Sequence, residues 1–342
     1  MKIICVLLLT IICTSANVDT TGVYKKIKKN IALRLDNYKG FEKKTLIQRF
    51  EIATEEICEL QNLYALVDGF GVTDIKPYEI HKSLLSKISD QINKWPIWLK
   101  NYCKKSILRI YTCSNFPTNA RINLVYDSTA YRFVICLNSN LFDTNPNEWQ
   151  QKNNLRSIKQ KSVPGLSFIL ETKETNTFEN TFEFVFLHEI GHAIGEITSD
   201  LPSLWYDNKN WQSDSIYYIL SGFLDLMIKK NVDPKIHFAD GQFEFDFWGR
   251  KKISPKQFIS YFTRINNAGF LTLYSTQNIH ENYAEAFAYY VHCEELKKPY
   301  IIKYEKDGKE LLRQNCFENN EYFLYREYFK GIVNWIKMNF GN

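Results

Sequence analysis

The chain has 342 residues, 45% of them hydrophobic, with 43 basic against 38 acidic side chains and a formal charge of +5. That composition excludes a disordered or low-complexity protein and supports one large core or two smaller ones. The positive excess is spread in pairs such as Lys25-Lys26, Lys43-Lys44 and Lys104-Lys105, which read as solvated faces, so no nucleic-acid partner is expected.

Lys2, the mostly apolar run 3–12 and the small residues Thr14, Ser15 and Ala16 predict a signal peptide over 1–16, cleaved after Ala16. The expected location is secreted: extracellular, or periplasmic if the source is a Gram-negative bacterium. No later window is apolar enough for a membrane span in the mature chain. Six cysteines follow the leader, and an even count in an exported protein predicts disulfides, Cys293 with Cys316 and the other four among themselves.

Residues 17–105 read as a helical N-terminal region. Phe50, Ile57, Leu60 and Tyr64 recur at helical spacing, as do Ile80, Leu84, Leu85, Ile88 and Ile92, with Pro77 and Pro96 as punctuation. From Ser106 the pattern changes to short β-branched and aromatic runs at 107–112, 122–126, 133–137 and 166–170, separated by Asn115-Phe116-Pro117, Asp127-Ser128 and Pro164-Gly165. The last of these runs is either a sheet edge for an extended peptide or a central buried strand. After Thr181 helices return, with an irregular aromatic-rich insert at about 237–250 whose Phe243 and Trp248 line a cleft or belong to a hairpin arm. A terminal amphipathic helix is expected over 320–340, with Phe329, Ile332, Val333 and Ile336 inward.

The chemistry is carried by 180–195. Asn180 and Glu183 stand in capping-box spacing, Gly195 closes the segment, and Phe182, Val185, Phe186, Leu187, Ile190, Ala193 and Ile194 make it apolar nearly all round. Such a helix is buried. His188, Glu189 and His192 within it would be costly to bury without partners. His188 and His192, one turn apart, can share one tetrahedral metal, and Glu189 lies about a quarter-turn round, within reach of a water that zinc has acidified. This spacing predicts Zn2+-assisted hydrolysis with Glu189 as general base.

A catalytic zinc needs a third protein ligand. The position six residues after His192 is Thr198, so the pattern with a third histidine there fails. Segment 278–292 offers Glu281 and Glu285 one turn apart behind the cap residue Asn278, beside Ala284, Phe287, Ala288 and Val291. Two stacked carboxylates beside an apolar stripe call for a cation, with Glu281 on the metal and Glu285 orienting a ligand histidine. His280 and His292 flank this helix and remain alternatives; His81 and His237 carry no local pattern.

His188-Glu189-x-Gly191-His192-Ala193 and Leu271-Thr272-x-Tyr274, followed by Asn278, Glu281, Ala284-Glu285-Ala286-Phe287, resemble the catalytic domain of anthrax toxin lethal factor and its relatives, which include the secreted Pro-Pro endopeptidases. The resemblance covers mainly 168 to about 292 and excludes the N-terminal region. It implies Glu281 as third zinc ligand, Glu285 as the carboxylate behind a ligand, and Tyr274 as a phenolic donor to the oxyanion. The stretch between His192 and Glu281 is longer than that family would require, and the added piece, about 205–249, is expected to cap the cleft.

The resulting expectation is an α+β, zincin-like metallopeptidase domain over 106–342, a small mixed sheet with an active-site helix and a ligand helix, preceded by helices. The expected activity is secreted zinc endopeptidase action on a protein or peptide substrate. Two rivals are a secreted binding or adhesion protein that keeps the fold without turnover, and a non-enzymatic structural zinc site. Glu189 and Tyr274 count against the first, since neither is needed merely to bind zinc, and three protein ligands with no fourth nearby count against the second.

Overall fold

The computed structural model describes residues 20–125, 131–156, 158–159, 163–198, 254–255, 257–260, 262, 270–276, 279–315 and 323–341. The expected leader at 1–16, the insert at 205–249 with His237, the cap residue Asn278 and Cys316 lie outside them.

The first elements are α1 (Thr20–Lys29), β1 (Phe50–Ile52), α2 (Glu55–Val67), β2 (Lys76–Pro77), α3 (Lys82–Lys94) and α4 (Ile97–Ser106). The expectation of an all-helical stretch therefore needs correction. Phe50 does not sit on the helix that carries Ile57 and Leu60; it opens a strand, and Thr54 caps α2 by accepting a hydrogen bond from the Ile57 N–H.

Strands β3 (Ile107–Ser114), β4 (Ala120–Val125) and β5 (Arg132–Asn138) form where runs were expected. The order is β1-β3-β5-β4, with β1, β3 and β5 parallel, β4 antiparallel to β5, and β2 antiparallel to β3. Strand β5 shows why the run reads as continuously apolar. Phe133, Ile135 and Leu137 enter one core while Val134 and Cys136 enter the other, because period-two side chains are buried on both faces. Helices α1 and α2 cover one face through Ile27, Ile57 and Leu60. The other face is covered by α3, α4, α5 (Pro146–Leu155), α6 (Phe178–Thr198), α7 (Ile279–Tyr290) and α8 (Phe323–Phe340). The fold is mixed helix and sheet, of α+β class.

A second sheet, β6 (Leu166–Ile169), β7 (Ile301–Lys306) and β8 (Lys309–Asn315), is antiparallel with β6 at its edge. The stretch after Thr181 was expected to be helical, and the β7–β8 hairpin departs from that. Its signal is Asp307-Gly308, both at positive φ, as a tight hairpin turn requires. Helix α8 buries Phe329, Val333 and Ile336, with Ile332 half-buried. None of the described helices is long and apolar enough to cross a membrane.

The disulfide expectation also changes. Cys58, Cys103, Cys113, Cys136 and Cys293 are free thiols, and no disulfide forms among the described residues. Cys103 lies in the core on one side of the sheet and Cys58, Cys113 and Cys136 in the core on the other, where Gln61 Nε2 donates to Cys136 Sγ at 3.2 Å and Cys113 Sγ donates to the Leu137 carbonyl at 3.6 Å.

Arg49 joins the layers. It is fully buried, and its guanidinium donates to the carbonyls of Lys44, Lys104 and Ile107, which include the carbonyl ends of α4 that have no partner within the helix. Replacement Arg49→Ala leaves those carbonyls buried and unpaired and should cost about 3 kcal/mol in urea unfolding, with Arg49→Lys recovering only part because it lacks the planar fork. A loss below about 0.5 kcal/mol would show the network is dispensable.

Candidate metal centre

Helix α6 is buried on every side, with Phe182, Phe184, Phe186, Leu187 and Ile190 fully enclosed. It begins at Phe178, two residues before the expected cap, and runs through Gly195 to Thr198. Asn180 and Glu183 are thus inside the helix; Asn180 donates to the Thr175 carbonyl just before it, and both side chains also bond sideways. Gln91 donates to both, Trp95 donates to Glu183 at 2.8 Å, and Lys298 bonds to both. These bonds fix the first half of α6 against α3.

Helix α7 crosses α6 in close contact. A Cβ on Gly191 would lie 2.7 Å from Ala284 Cα and 2.9 Å from its carbonyl oxygen, so the approach needs glycine on α6 and a small residue opposite. That approach brings three donors together. His188 Nε2 and His192 Nε2 are 3.2 Å apart, and Glu281 Oε2 is 3.1 Å from the first and 3.5 Å from the second. Four ligands at about 2.0–2.1 Å around a tetrahedral ion have edges of about 3.3 Å. The three separations bracket that edge, and the two imidazole planes stand 84° apart, as rings aimed at one point from successive turns do. The donor set and its spacing fit a four-coordinate metal with one corner open.

The support behind the donors is equally specific. His188 Nδ1 pairs with Glu285 Oε1 at 2.9 Å, which directs Nε2 forward. Glu285 Oε2 accepts from Thr272 Oγ1 at 2.9 Å. Thr272 is held in turn by Ser275, whose N–H donates to Thr272 Oγ1 at 3.0 Å and whose hydroxyl donates to the Thr272 carbonyl at 2.7 Å. This exchange closes the short turn Tyr274–Thr276 that presents Tyr274. Burial opposes charge on His188, but hydrogen bonds to Glu281 and Glu285 outweigh it and raise the pKa. Burial likewise pushes Glu281 up, and the two histidines more than reverse it. Both directions describe a pocket that attracts positive charge.

Glu189 and Tyr274 share a cleft of about 600 Å³, open solvent included, with His188, Val185 and the start of β4 at Thr118, Asn119 and Ala120. Burial raises the Glu189 pKa against the pull of His192 and His188, which moves it in the direction a base working near neutrality needs. The Tyr274 pKa is raised by burial and then by Glu281 and Glu189, so the phenol stays protonated and able to donate.

Of the alternatives, His280 is buried and held neutral, its pKa lowered to about 3 by burial and His192, and it lies outside the converging donors. His292 Nε2 bonds to the carbonyls of Leu170 and Pro299 at 2.9 and 3.1 Å. It also neighbours Glu171 and Glu183 in a second buried cluster. There the cation is already supplied, since the Lys298 ammonium lies 2.9 Å from Glu171 and contacts Glu183. His81 caps α3, accepting from Ser83 N at 3.3 Å.

The sequence reading assigned no role to Thr272, although it stands in the motif that carries Tyr274, and it did not foresee α5, whose Trp149, Gln150, Asn153, Asn154 and Arg156 form one cleft wall. The overlooked signal was Asn145-Pro146 followed by Glu148, a helix start in which Asn145 Oδ1 accepts from Glu148 N at 3.0 Å. Gly191→Ala should wedge α6 from α7 and weaken metal binding at least about tenfold in a chelator competition while circular dichroism stays native. Thr272→Val should weaken it by about tenfold to a hundredfold, with Thr272→Ser close to the parent. Equal affinities in parent and valine variant would remove Thr272 from the site.

Comparison of the chain with protein-family models, with curated proteins and with solved structures finds no match.

Proposed function

We propose that the chain is a secreted zinc-dependent endopeptidase of the zincin type, similar to the lethal factor catalytic domain and its relatives. One observation carries this reading: His188, His192 and Glu281 converge at tetrahedral spacing beside a cleft that holds Glu189 and Tyr274. The donor chemistry, two imidazoles and one carboxylate with an open fourth position, is that of catalytic zinc. Export is part of the proposal and rests on the leader-like residues 1–16.

Zinc bound there supplies Lewis acidity, bringing the ionisation of water towards neutral pH and polarising a peptide carbonyl. The protein does the rest. Glu189 takes a proton from the attacking water and delivers it to the departing amine nitrogen, and burial raises its affinity for that proton. Tyr274 donates its phenolic hydrogen to the oxygen on which negative charge develops. Glu285 fixes the His188 ring, and Thr272 fixes Glu285.

An extended peptide is best held along β4. That strand ends the order β1-β3-β5-β4, and its first residue lines the cleft. Strand β6, weighed for this task from the sequence, edges the other sheet. Strand addition straightens a peptide and uses main-chain hydrogen bonds that tolerate any side chain.

Glu189→Ala is expected to retain one zinc per chain by elemental analysis while peptide cleavage falls about 10²- to 10⁴-fold. Chelation should abolish cleavage by the parent protein and zinc restore it. Full activity in the Glu189 variant, or a chain that takes up no zinc, would refute the assignment.

A further inference from the structure

Helix α5 presents an unusual wall to the cleft. Trp149, Asn153 and Arg156 are spaced i, i+4 and i+7, and Arg156 keeps helical dihedrals (φ −54, ψ −36) just past the last turn, so the three side chains share one face. All three line the cleft with Glu189 and Tyr274. The indole N–H of Trp149 is buried with no hydrogen-bond partner. Arg156 is solvent-exposed and forms no ion pair among the described residues. Partial desolvation of its head lowers the guanidinium pKa, and the neighbouring Tyr274 offsets part of that; the group stays charged regardless. The buried N–H left without a partner is a costly arrangement unless an acceptor enters, and the exposed, hydrated guanidinium at the same cleft is available to an anion.

We propose that this face of α5 is a recognition subsite for a carboxylate of the peptide substrate, held within one or two residues of the bond that is cut. The inference rests on the peptidase reading and adds the substrate's charge to it. Arg156 supplies the countercharge and a two-pronged donor, and Trp149 supplies a directional donor at the buried end. Asn153 lies between them. Proximity of Arg156 to Tyr274 places the bound carboxylate near the reacting carbonyl. The carboxylate comes either from an Asp or Glu side chain or from the free C-terminus of the substrate, and both present the same two oxygens. The unpartnered buried Oδ1 of Asn154 in the same wall is the one feature that favours a carboxamide instead.

Two random peptide libraries separate these cases, one with amidated and one with free C-termini, digested by the zinc-loaded protein and read by mass spectrometry. With the amidated library, Asp and Glu should be enriched about tenfold at one position beside the cut. Arg156→Gln should flatten that position while cleavage elsewhere continues, and Arg156→Glu should convert it to Lys and Arg. Trp149→Phe, which keeps the ring and removes the donor, should weaken the acidic preference several-fold. Cuts at a fixed distance from the end, seen only in the free-acid library and lost in Arg156→Gln, assign the carboxylate to the C-terminus. Cleavage with neither an acidic preference nor dependence on a free C-terminus, with a preference for Gln and Asn, or with either carboxylate dependence unchanged in Arg156→Gln, overturns the subsite and leaves the peptidase reading standing. Absence of any cleavage by the parent protein overturns both.

Discussion

The contact between α6 and α7 at Gly191 and Ala284 is the constraint on which the rest depends. Two histidines one turn apart are provided by a single helix, but a third donor must come from elsewhere, and here it comes from a segment far along the chain. Tetrahedral spacing tolerates errors of a few tenths of an ångström. The two backbones therefore have to meet at a distance that excludes even one Cβ between them. Every other polar contact near the site works to keep that geometry from drifting.

Those contacts form two chains. The forward one runs from His188 to Glu285, Thr272 and Ser275, and ends in the turn that presents Tyr274. One set of hydrogen bonds thus orients both the His188 imidazole and the phenol across the cleft. The rear chain runs from Glu183 and Asn180 to Gln91, Trp95 and Lys298, and fixes the start of α6. Burying so many polar groups is costly unless each is paired, and it is the pairing that turns an apolar helix into a rigid support. Lys298 also sets the two clusters of His and Glu apart: one contains its own ammonium, while the His188, His192 and Glu281 group has none among the described residues.

The sheet contributes in a different way. Its strands are buried on both faces, with α1 and α2 behind and α6 in front, so the end strand β4 is held rigidly beside the helix that carries Glu189. On the remaining side α5 closes the cleft with polar side chains that lie outside the convergent donor group. The cleft wall therefore differs in character from the face formed by His188, His192 and Glu281.

The residues of the centre were legible in the sequence because they obey local rules. Helical period places His188 over His192, and the same period stacks Glu281 on Glu285; strand period marked β3, β4 and β5. Phe50 misled because an apolar residue seven positions before Ile57 satisfies a helical period as well as it satisfies a strand. Asn180 and Glu183 misled because a capping pair and a pair of buried cross-helix acceptors have the same spacing. The cysteine count misled because an even number says nothing about whether any two thiols stand at bonding distance. Helix α5 and the β7–β8 hairpin carried readable signals in Asn145-Pro146 and Asp307-Gly308 and needed only attention to turn chemistry. What the chain's order by itself determined was the set of donors and their local facing. Only tertiary packing decided that Glu281 joins the histidines while His280 and His292 do not, that β4 and not β6 borders the cleft, and that Lys298 occupies the second cluster. Those are questions of which distant segments meet, and a one-dimensional period contains no term for that.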